Sequence, residues 1–509
     1  VGRSAVGLPS CTPAVMHRAS SLHTQTGRLP VSSTVYTVDG FKAVVEPSKQ
    51  HHLQSEASTP RQSAQPLSFP PVPPAPFDYA DFWNRAWAAA NSTRSSEQVV
   101  PPTKLCPKVF MYNLSGILPG WRNPSFDEAF GKVAADAPVT PGVAYLDSYH
   151  YNLPLILSHR LLHASNCYTD DPAAADLFWV PLHIQKQSSK VFSSYCKSFR
   201  RLLNVTPTGL ASQLPHLTAS TAHRHFFVVG FSHMALTKSC DGWFSNPRPE
   251  FHSFVRVAHT HVLTTNGSDA LRAHLYGVES NQLMFKSTRW SFPNLISVPL
   301  PGLLHTTPLE NGSHHRVNAD SKRSQLMIFV GHDVHGDVSV RKRITAQCAQ
   351  SWSCLWKRPR PPPTELVRPV LAEVILLKRK SVFCLEPAGD APDRPSISDS
   401  VACGCIPVLF NPLTHALWPY HWNNWKAAGT VLVPRAEFLA GKINLEKLLS
   451  SIPQPLLERL QQTVNENAQR FIYSVYDDPH DDALQVMLRA VKSASEIMAL
   501  PGEVRSRSF

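Results

Sequence analysis

The chain has 509 residues, with 49 Lys and Arg against 37 Asp and Glu, a formal net charge of +12. Hydrophobic residues make up 43% of it, which excludes a wholly disordered chain, and no run of about 18 apolar residues is present to span a membrane. The 45 prolines argue for turn-rich loops and extended segments over a helical bundle.

Residues 1–105 are rich in Ser, Thr, Gln and Pro, with six prolines between Pro66 and Pro76, and read as a disordered stem or linker of polyproline II character. One short helix is expected inside it, from Asp78 to Ala90. Order begins at Lys108 with the strand Val109–Tyr112. His150–His163 carries Leu153, Ile156, Leu157 and Leu161 at helical spacing. Asp170-Asp171-Pro172 reads as a turn, followed by the strand Leu177–Pro181. Lys190–Leu203 is a further expected helix, and His225–Gly230 and Leu295–Val298 are buried strands. The alternation resumes after a polar gap at 310–324, with strands at Leu326–Val330, Ser381–Leu385, Ile406–Phe410 and Thr430–Val433 and a helix at Val340–Ala349. Strands alternating with helices call for parallel sheets covered on both faces. This gives two successive α/β units, 107–315 and 316–480. A last helix at 481–500, with Leu484, Met487, Leu488 and Val491 on one stripe, is placed to cross back onto the first unit.

The positive balance admits phosphate-bearing partners, but no zinc-finger spacing, RNA-binding aromatic signature or long basic run is present, so nucleic acid is not an expected partner. The clusters Lys378-Arg379-Lys380 and Arg341-Lys342-Arg343 read as solvated helix faces, with a pocket for a phosphorylated substrate as the alternative.

The segment Val382–Phe410 is the most informative. A strand ends at Glu386-Pro387, a loop holds Gly389, Pro392 and Pro395, and Ser396 opens a helix that Gly404 ends before the next strand. That succession presents free backbone N–H groups to an anion at the carboxyl edge of a sheet. Ser396 and Ser398 supply hydroxyls, Arg394 a fork for phosphate, and Asp399 a carboxylate within reach of a ribose. The same residues also suit an ordinary capped helix with Asp399 favoured by the dipole.

The segment resembles the exostosin-type glycosyltransferases (glycosyltransferase family 47) of plants and green algae. The resemblance runs over Pro387-Ala388-Gly389-Asp390, Arg394, Ser396, Asp399-Ser400 and Gly404-Cys405-Ile406-Pro407-Val408. Upstream it takes in Lys108–Leu114, Asp170–Pro181, His225–Val228, Ser297-Val298-Pro299, and Phe329-Val330-Gly331 with Val340-Arg341, all in family order over roughly 107–495. The chain departs from the family pattern by lacking an Asp before His225, by carrying His332-Asp333-Val334 after Gly331, and by the Arg358–Pro363 insertion.

The resemblance implies an α/β, GT-B-like fold: two Rossmann-like domains facing each other across a cleft, preceded by the Pro/Ser-rich stem. The acceptor, a polysaccharide or a glycoprotein glycan, would lie on the N-terminal unit and a nucleotide sugar, in the family a UDP-sugar, on the C-terminal one, held by Asp399, Ser396, Arg394, Gly389, Asp390, Arg341 and Gly331. Transfer would be inverting, with a general base drawn from His183, Asp176 and Asp171, and Asp170 and His233 as further candidates. Arg side chains and a helix N-terminus would stabilise the leaving diphosphate. No metal or other cofactor is expected, and no Asp-x-Asp triplet is present. The alternative is a catalytically inactive carbohydrate-binding or partner subunit, and homo- or hetero-oligomers are compatible with either. The resemblance, the stem and five sequons at Asn91, Asn113, Asn204, Asn266 and Asn311 give the expectation of a lumenal Golgi protein, held to the membrane by an anchor preceding Val1. Lumenal exposure allows disulfides, with Cys348 and Cys354 a candidate pair.

Overall fold

A computed structural model describes residues 76–92, 106–116, 121–132, 142–146, 148–183, 213–230, 253–259, 294–307, 323–334, 336–358, 367–389, 392–422, 424–477 and 481–499. The expected helix at 190–203, His233, Asp390 and the sequons at Asn204, Asn266 and Asn311 lie outside these residues.

Described order begins with helix α1 (Tyr79–Ser92). It belongs to a core and is not an isolated turn of a stem: Trp83 and Phe82 are buried among residues of the C-terminal half, and the Trp83 indole donates to the carbonyl of Leu448 at 3.1 Å. The first sheet follows, interleaved with α2 (Phe126–Phe130) and α3 (Leu153–His163). Its strands are β1 (Val109–Met111), β3 (Leu177–Trp179), β4 (His225–Val228), β5 (Val255–Ala258) and β6 (Leu295–Ser297), hydrogen-bonded in the order β1-β3-β4-β5-β6 and all parallel. A separate antiparallel ribbon joins β2 (Val143–Tyr145) to β7 (Leu304–Thr306).

The second sheet begins with β8 (Gln325–Val330), which leads through α4 (Val338–Cys348) to β9 (Cys354–Lys357). Helix α5 (Val367–Lys380) then precedes β10 (Ser381–Glu386), and α6 (Pro395–Ala402) precedes β11 (Ile406–Leu409) and β12 (Val431–Leu432). The order is β12-β11-β10-β8-β9, again all parallel. Helices α7 (Gln454–Asn467) and α8 (Ala483–Ala499) complete the described chain.

Strands β3, β4, β5 and β6 of the first sheet and β10 and β11 of the second are buried on both faces, which is why they read as apolar runs without alternation, while β9 at the edge is half-buried. Val109, Trp179, Phe226, Val257 and Ile296 form one core, and Leu484, Met487, Leu488 and Val491 of α8 pack into it. Their four-residue stripe thus lies against the first sheet although its sequence follows the second. Met327, Phe329, Phe383, Leu385, Ile406 and Val408 form the other core with α1. Disulfides join Cys106 to Cys167, Cys348 to Cys354 and Cys384 to Cys405. The last links neighbouring strands β10 and β11 in the interior, beside the buried free thiol of Cys403.

Candidate functional site

In the second sheet the strand order reverses at β8: β9 lies on one side of it and β10, β11 and β12 on the other. In open parallel sheets, ligands sit outside the carboxyl ends of the strands at such a reversal. Here those ends are Gly331-His332 after β8 and Glu386–Gly389 after β10. Arg341, from α4, is buried across the gap and donates to the carbonyls of Ala388 at 3.0 Å, His332 at 2.8 Å and Pro387 at 3.3 Å. Expected to grip a diphosphate, its fork braces the two loops. Gly331 makes room for it, since a Cβ there would lie 3.0 Å from Arg341 Nη1. Gly389 is likewise a place of close approach: a Cβ on Gly336, whose φ is +76°, would lie 2.7 Å from its backbone.

Helix α6 starts at Pro395, with Arg394 in extended conformation at the N-cap and no side-chain cap on the first-turn amides. Beneath that turn lies a buried ion pair that sequence reasoning missed. Lys378 Nζ, at the end of α5, is 2.8 Å from Glu386 Oε1 and also donates to the Ser396 carbonyl at 2.7 Å, Ser396 Oγ at 2.8 Å and Ser400 Oγ at 2.7 Å. Both serines donate to Glu386 Oε1, at 2.9 Å and 2.6 Å. Burial pushes the Glu386 carboxyl up, but the charges of Lys378 and Arg394 and the Lys378 and Ser400 hydrogen bonds outweigh it and hold Glu386 below its ordinary value. The Lys378-Arg379-Lys380 cluster is therefore not a solvated face at Lys378, which is 1% exposed. Arg394 is the cation left with capacity: its buried Nε has no hydrogen-bond partner among the described residues.

The second turn of α6 faces elsewhere. Asp399 Oδ1 accepts from the backbone N–H of Leu303 at 2.7 Å, and Ser398 Oγ donates to the Leu300 carbonyl at 2.7 Å. A Cβ on Gly302 would stand 2.4 Å from Asp399 Oδ1, so the segment between β6 and β7 passes directly against the carboxylate. Burial raises the Asp399 pKa to about 6, opposed by the charge of Lys378 and the Leu303 amide. Placed by the sequence on a ribose, and alternatively as a cap of its own helix, Asp399 instead holds the linking segment. Beyond it, the Trp418 backbone N–H donates to Ser297 Oγ at 3.0 Å and its indole to the His259 carbonyl at 2.9 Å. Trp418 carries φ +55°, an uncommon conformation for a bulky residue. The carboxyl edge of the first sheet, at β5 and β6, is thus met by residues that follow β10 and β11.

The candidates on the first sheet divide between its two ends. His183 follows the carboxyl end of β3, at φ +47°. Its Nε2 is 2.9 Å from Ser158 Oγ, its ring stacks on Trp121 at 5.5 Å, and burial lowers its pKa to about 4, with Glu128 opposing. Asp171 and Asp176 precede β3 and so occupy the amino end. Asp171 Oδ1 caps the turn by accepting from Ala173 N–H at 2.9 Å. Asp176 accepts from the Lys108 N–H at 2.8 Å and pairs with Lys492 at 2.9 Å; these outweigh burial and hold its carboxyl below the usual range. Neither carboxylate is brought to the edge where α6 lies. Among the described residues no group of three His, Cys, Asp or Glu side chains is close enough to hold a metal ion, and no helix is long and apolar enough to cross a membrane.

Two units of parallel α/β build, joined at their carboxyl edges around the start of α6, are the frame of a glycosyltransferase, the class that the family match below identifies. The sequence model of the Exostosin GT47 domain matches residues 108–439, and the chain belongs to that family. It is similar to the probable xyloglucan galactosyltransferase GT12 of Arabidopsis thaliana, 24% identical over 384 residues that cover 72% of this chain and 69% of that protein. To the xyloglucan galactosyltransferase MUR3 of the same plant it is 32% identical over 128 residues, 24% of this chain and 20% of that one. Among solved structures, the pneumococcal O-GlcNAc transferase GtfA in complex with UDP and GlcNAc aligns with TM-score 0.29 and 10% identity, over 60% of each chain.

Proposed function

We propose that this glycosyltransferase moves a sugar from a nucleotide sugar, of the UDP class, to a cell-wall polysaccharide of xyloglucan type, with inversion at the anomeric carbon. The observation that carries the reading is the uncapped N-terminus of α6 at the strand-order reversal, with Arg394 beside it and Lys378 fully committed to Glu386, Ser396 and Ser400. The positive end of a helix and a guanidinium are what a departing diphosphate needs, and the Ser396 N–H is the amide there that no side chain caps, Pro395 having none and Ile397 donating to the Arg394 carbonyl at 3.2 Å. The acceptor oxygen attacks the anomeric carbon as the bond to the diphosphate oxygen breaks, and the acceptor proton passes to a base. His183, neutral at physiological pH and at the carboxyl end of β3, is the base within this reading. Galactose as the donor sugar and xyloglucan as the acceptor rest on what the relatives are named for.

A lumenal Golgi setting behind an N-terminal anchor belongs to the same proposal. Three disulfides among the described residues support an oxidising compartment, and sequon residues Asn91 and Asn113 are exposed. Isothermal titration with UDP, followed by transfer assays with a panel of UDP-sugars and xyloglucan oligosaccharides, tests the reading. UDP binding that weakens by about 1.5–3 kcal/mol in Arg394→Ala is the expected result. Unchanged affinity in that variant overturns the placement of the diphosphate, and glycan binding without transfer by any UDP-sugar makes the chain a partner subunit.

A further inference from the structure

We infer that Tyr149, with His150 and Tyr151, is the platform on which a neutral sugar ring of the acceptor glycan stacks. The inference rests on the glycan-transfer reading above and adds to it a subsite.

Five large apolar side chains are exposed among the described residues: Val334 has no ring, Trp352 precedes β9 at the amino end of the second sheet, away from the ligand edge, and two others are occupied. Trp87 lies under the guanidinium of Arg459 at 5.9 Å, and Phe126 stacks on Phe130 at 5.2 Å. Tyr149 is 41% exposed and is the outermost ring of a cluster. Its ring centre lies 4.8 Å from that of His150 and 5.3 Å from that of Tyr151, which meets it edge-on, and His150 and Tyr151 are 4.1 Å apart. Exposed aromatic rings lose conformational freedom when a ligand orders them, unless the backbone has already done so. Here it has. Asn152 N–H closes a turn onto the Tyr149 carbonyl at 2.8 Å, and Asn152 Nδ2 ties that turn to the Glu128 carbonyl at 2.9 Å. Ser148 Oγ donates to the Gly302 carbonyl at 2.8 Å, and the Tyr151 carbonyl fills the space where a Cβ on Gly230 would stand.

These anchors also place the platform. Gly230 follows β4 at the carboxyl edge of the first sheet, and Gly302 is the residue packed against Asp399 of α6. The turn therefore sits between the acceptor-side edge and the helix proposed to hold the donor. A second observation points to a ligand at the same edge. His259 follows β5, its Nδ1 pairs with the Val298 carbonyl at 3.2 Å, and its fully buried Nε2 has no hydrogen-bond partner among the described residues. A β-linked hexose offers such a place what it needs: a face of axial C–H groups for the phenol ring and hydroxyls around its rim for nearby nitrogens.

The test measures binding of a xyloglucan heptasaccharide by titration without donor, in parallel with UDP, for the wild type, Tyr149→Ala, Tyr149→Leu and Tyr149→Trp. Tyr149→Ala should weaken the heptasaccharide about tenfold while UDP affinity and melting temperature stay unchanged, and Tyr149→Trp should restore binding where Tyr149→Leu does not. Heptasaccharide affinity within twofold of wild type in Tyr149→Ala, or equal rescue by Leu and Trp, overturns the platform. Wild-type protein that binds heptasaccharide through Tyr149 but not UDP supports the platform and refutes the donor reading; wild type that binds UDP but no heptasaccharide does the reverse.

Discussion

Lys378→Met tests the buried pair beneath α6 most directly. The ammonium is 2.8 Å from Glu386 Oε1, and both residues are almost wholly buried. Removing one partner of such a pair leaves an uncompensated charge in the interior, a loss of about 3–5 kcal/mol. Ser396 and Ser400 still donate to the carboxylate and Arg394 still lies near it, so the lower half of that range is expected. For a unit the size of the C-terminal half this is a fall of roughly 6–16 °C in melting temperature. The sign of the pH dependence discriminates further. In the wild type Glu386 is held below its ordinary value of 4.5, so its contribution is present above that pH and is lost as pH falls through the depressed folded value. Without Lys378 the buried carboxyl rises instead. The variant's deficit is then largest near neutrality and shrinks as acid protonates Glu386. Lys378→Met with Glu386→Leu, which removes both charges, should recover most of the loss. Melts from pH 4 to pH 8 on the three proteins decide. A deficit in Lys378→Met below about 1 kcal/mol at neutral pH, or one independent of pH, would refute the argument.

Four further outcomes follow from the same structure. Arg341→Lys keeps the charge but not the fork to three carbonyls, and should cost about 2–3 kcal/mol in denaturant unfolding while weakening UDP through the loops it braces. Cys384→Ala with Cys405→Ala opens a link between residues 21 apart in sequence and should cost about 3 kcal/mol, read as a melting temperature below that of the oxidised wild type. Trp83→Ala should cost about 3–5 kcal/mol and free α1 for limited proteolysis, because the indole is buried in the C-terminal core. Mass spectrometry of protein from a secretory host should find a glycan on exposed Asn113, absent in Asn113→Gln.

The strands were legible where they are buried on both faces: Leu326–Val330 and Ser381–Leu385 carry apolar runs no solvated strand would. The start of α6 was legible to within one residue, expected at Ser396 and found at Pro395, and its end from Gly404, which adopts φ +64°. Individual side chains were less so, because direction in space is not local information. Lys378 sits in a run of three basic residues that reads as a wet face, and only the chain's return along β10 brings Glu386 to it. Arg341 carried the charge expected at a diphosphate, but neighbouring loops offer it three carbonyls first. Asp171 and Asp176 were chosen for residue type, yet a carboxylate that precedes a parallel strand lies at the amino end, opposite the ligand edge. That last distinction was available from the sequence once the strand was placed. The docking of α1 was not, since nothing near Trp83 says which half of the chain covers it.

Helix α6 concentrates the design. In eight residues it carries Ser396, Ser398, Asp399 and Ser400, residue types that favour caps and turns over helix interiors because their side chains compete for backbone groups. Each instead has a partner beyond the helix: Ser396 and Ser400 the Glu386–Lys378 pair, Ser398 the Leu300 carbonyl, Asp399 the Leu303 amide. The helix is therefore poor by propensity and over-determined by tertiary contact, the arrangement expected where a backbone must be held in one place for a ligand. Ser396 and Ser400 fix it from the second sheet, and Ser398 and Asp399 from the segment leading out of the first. The position of the helix N-terminus and the approach of the two sheet edges are consequently set by the same eight residues, so a change at either end of α6 is felt at both.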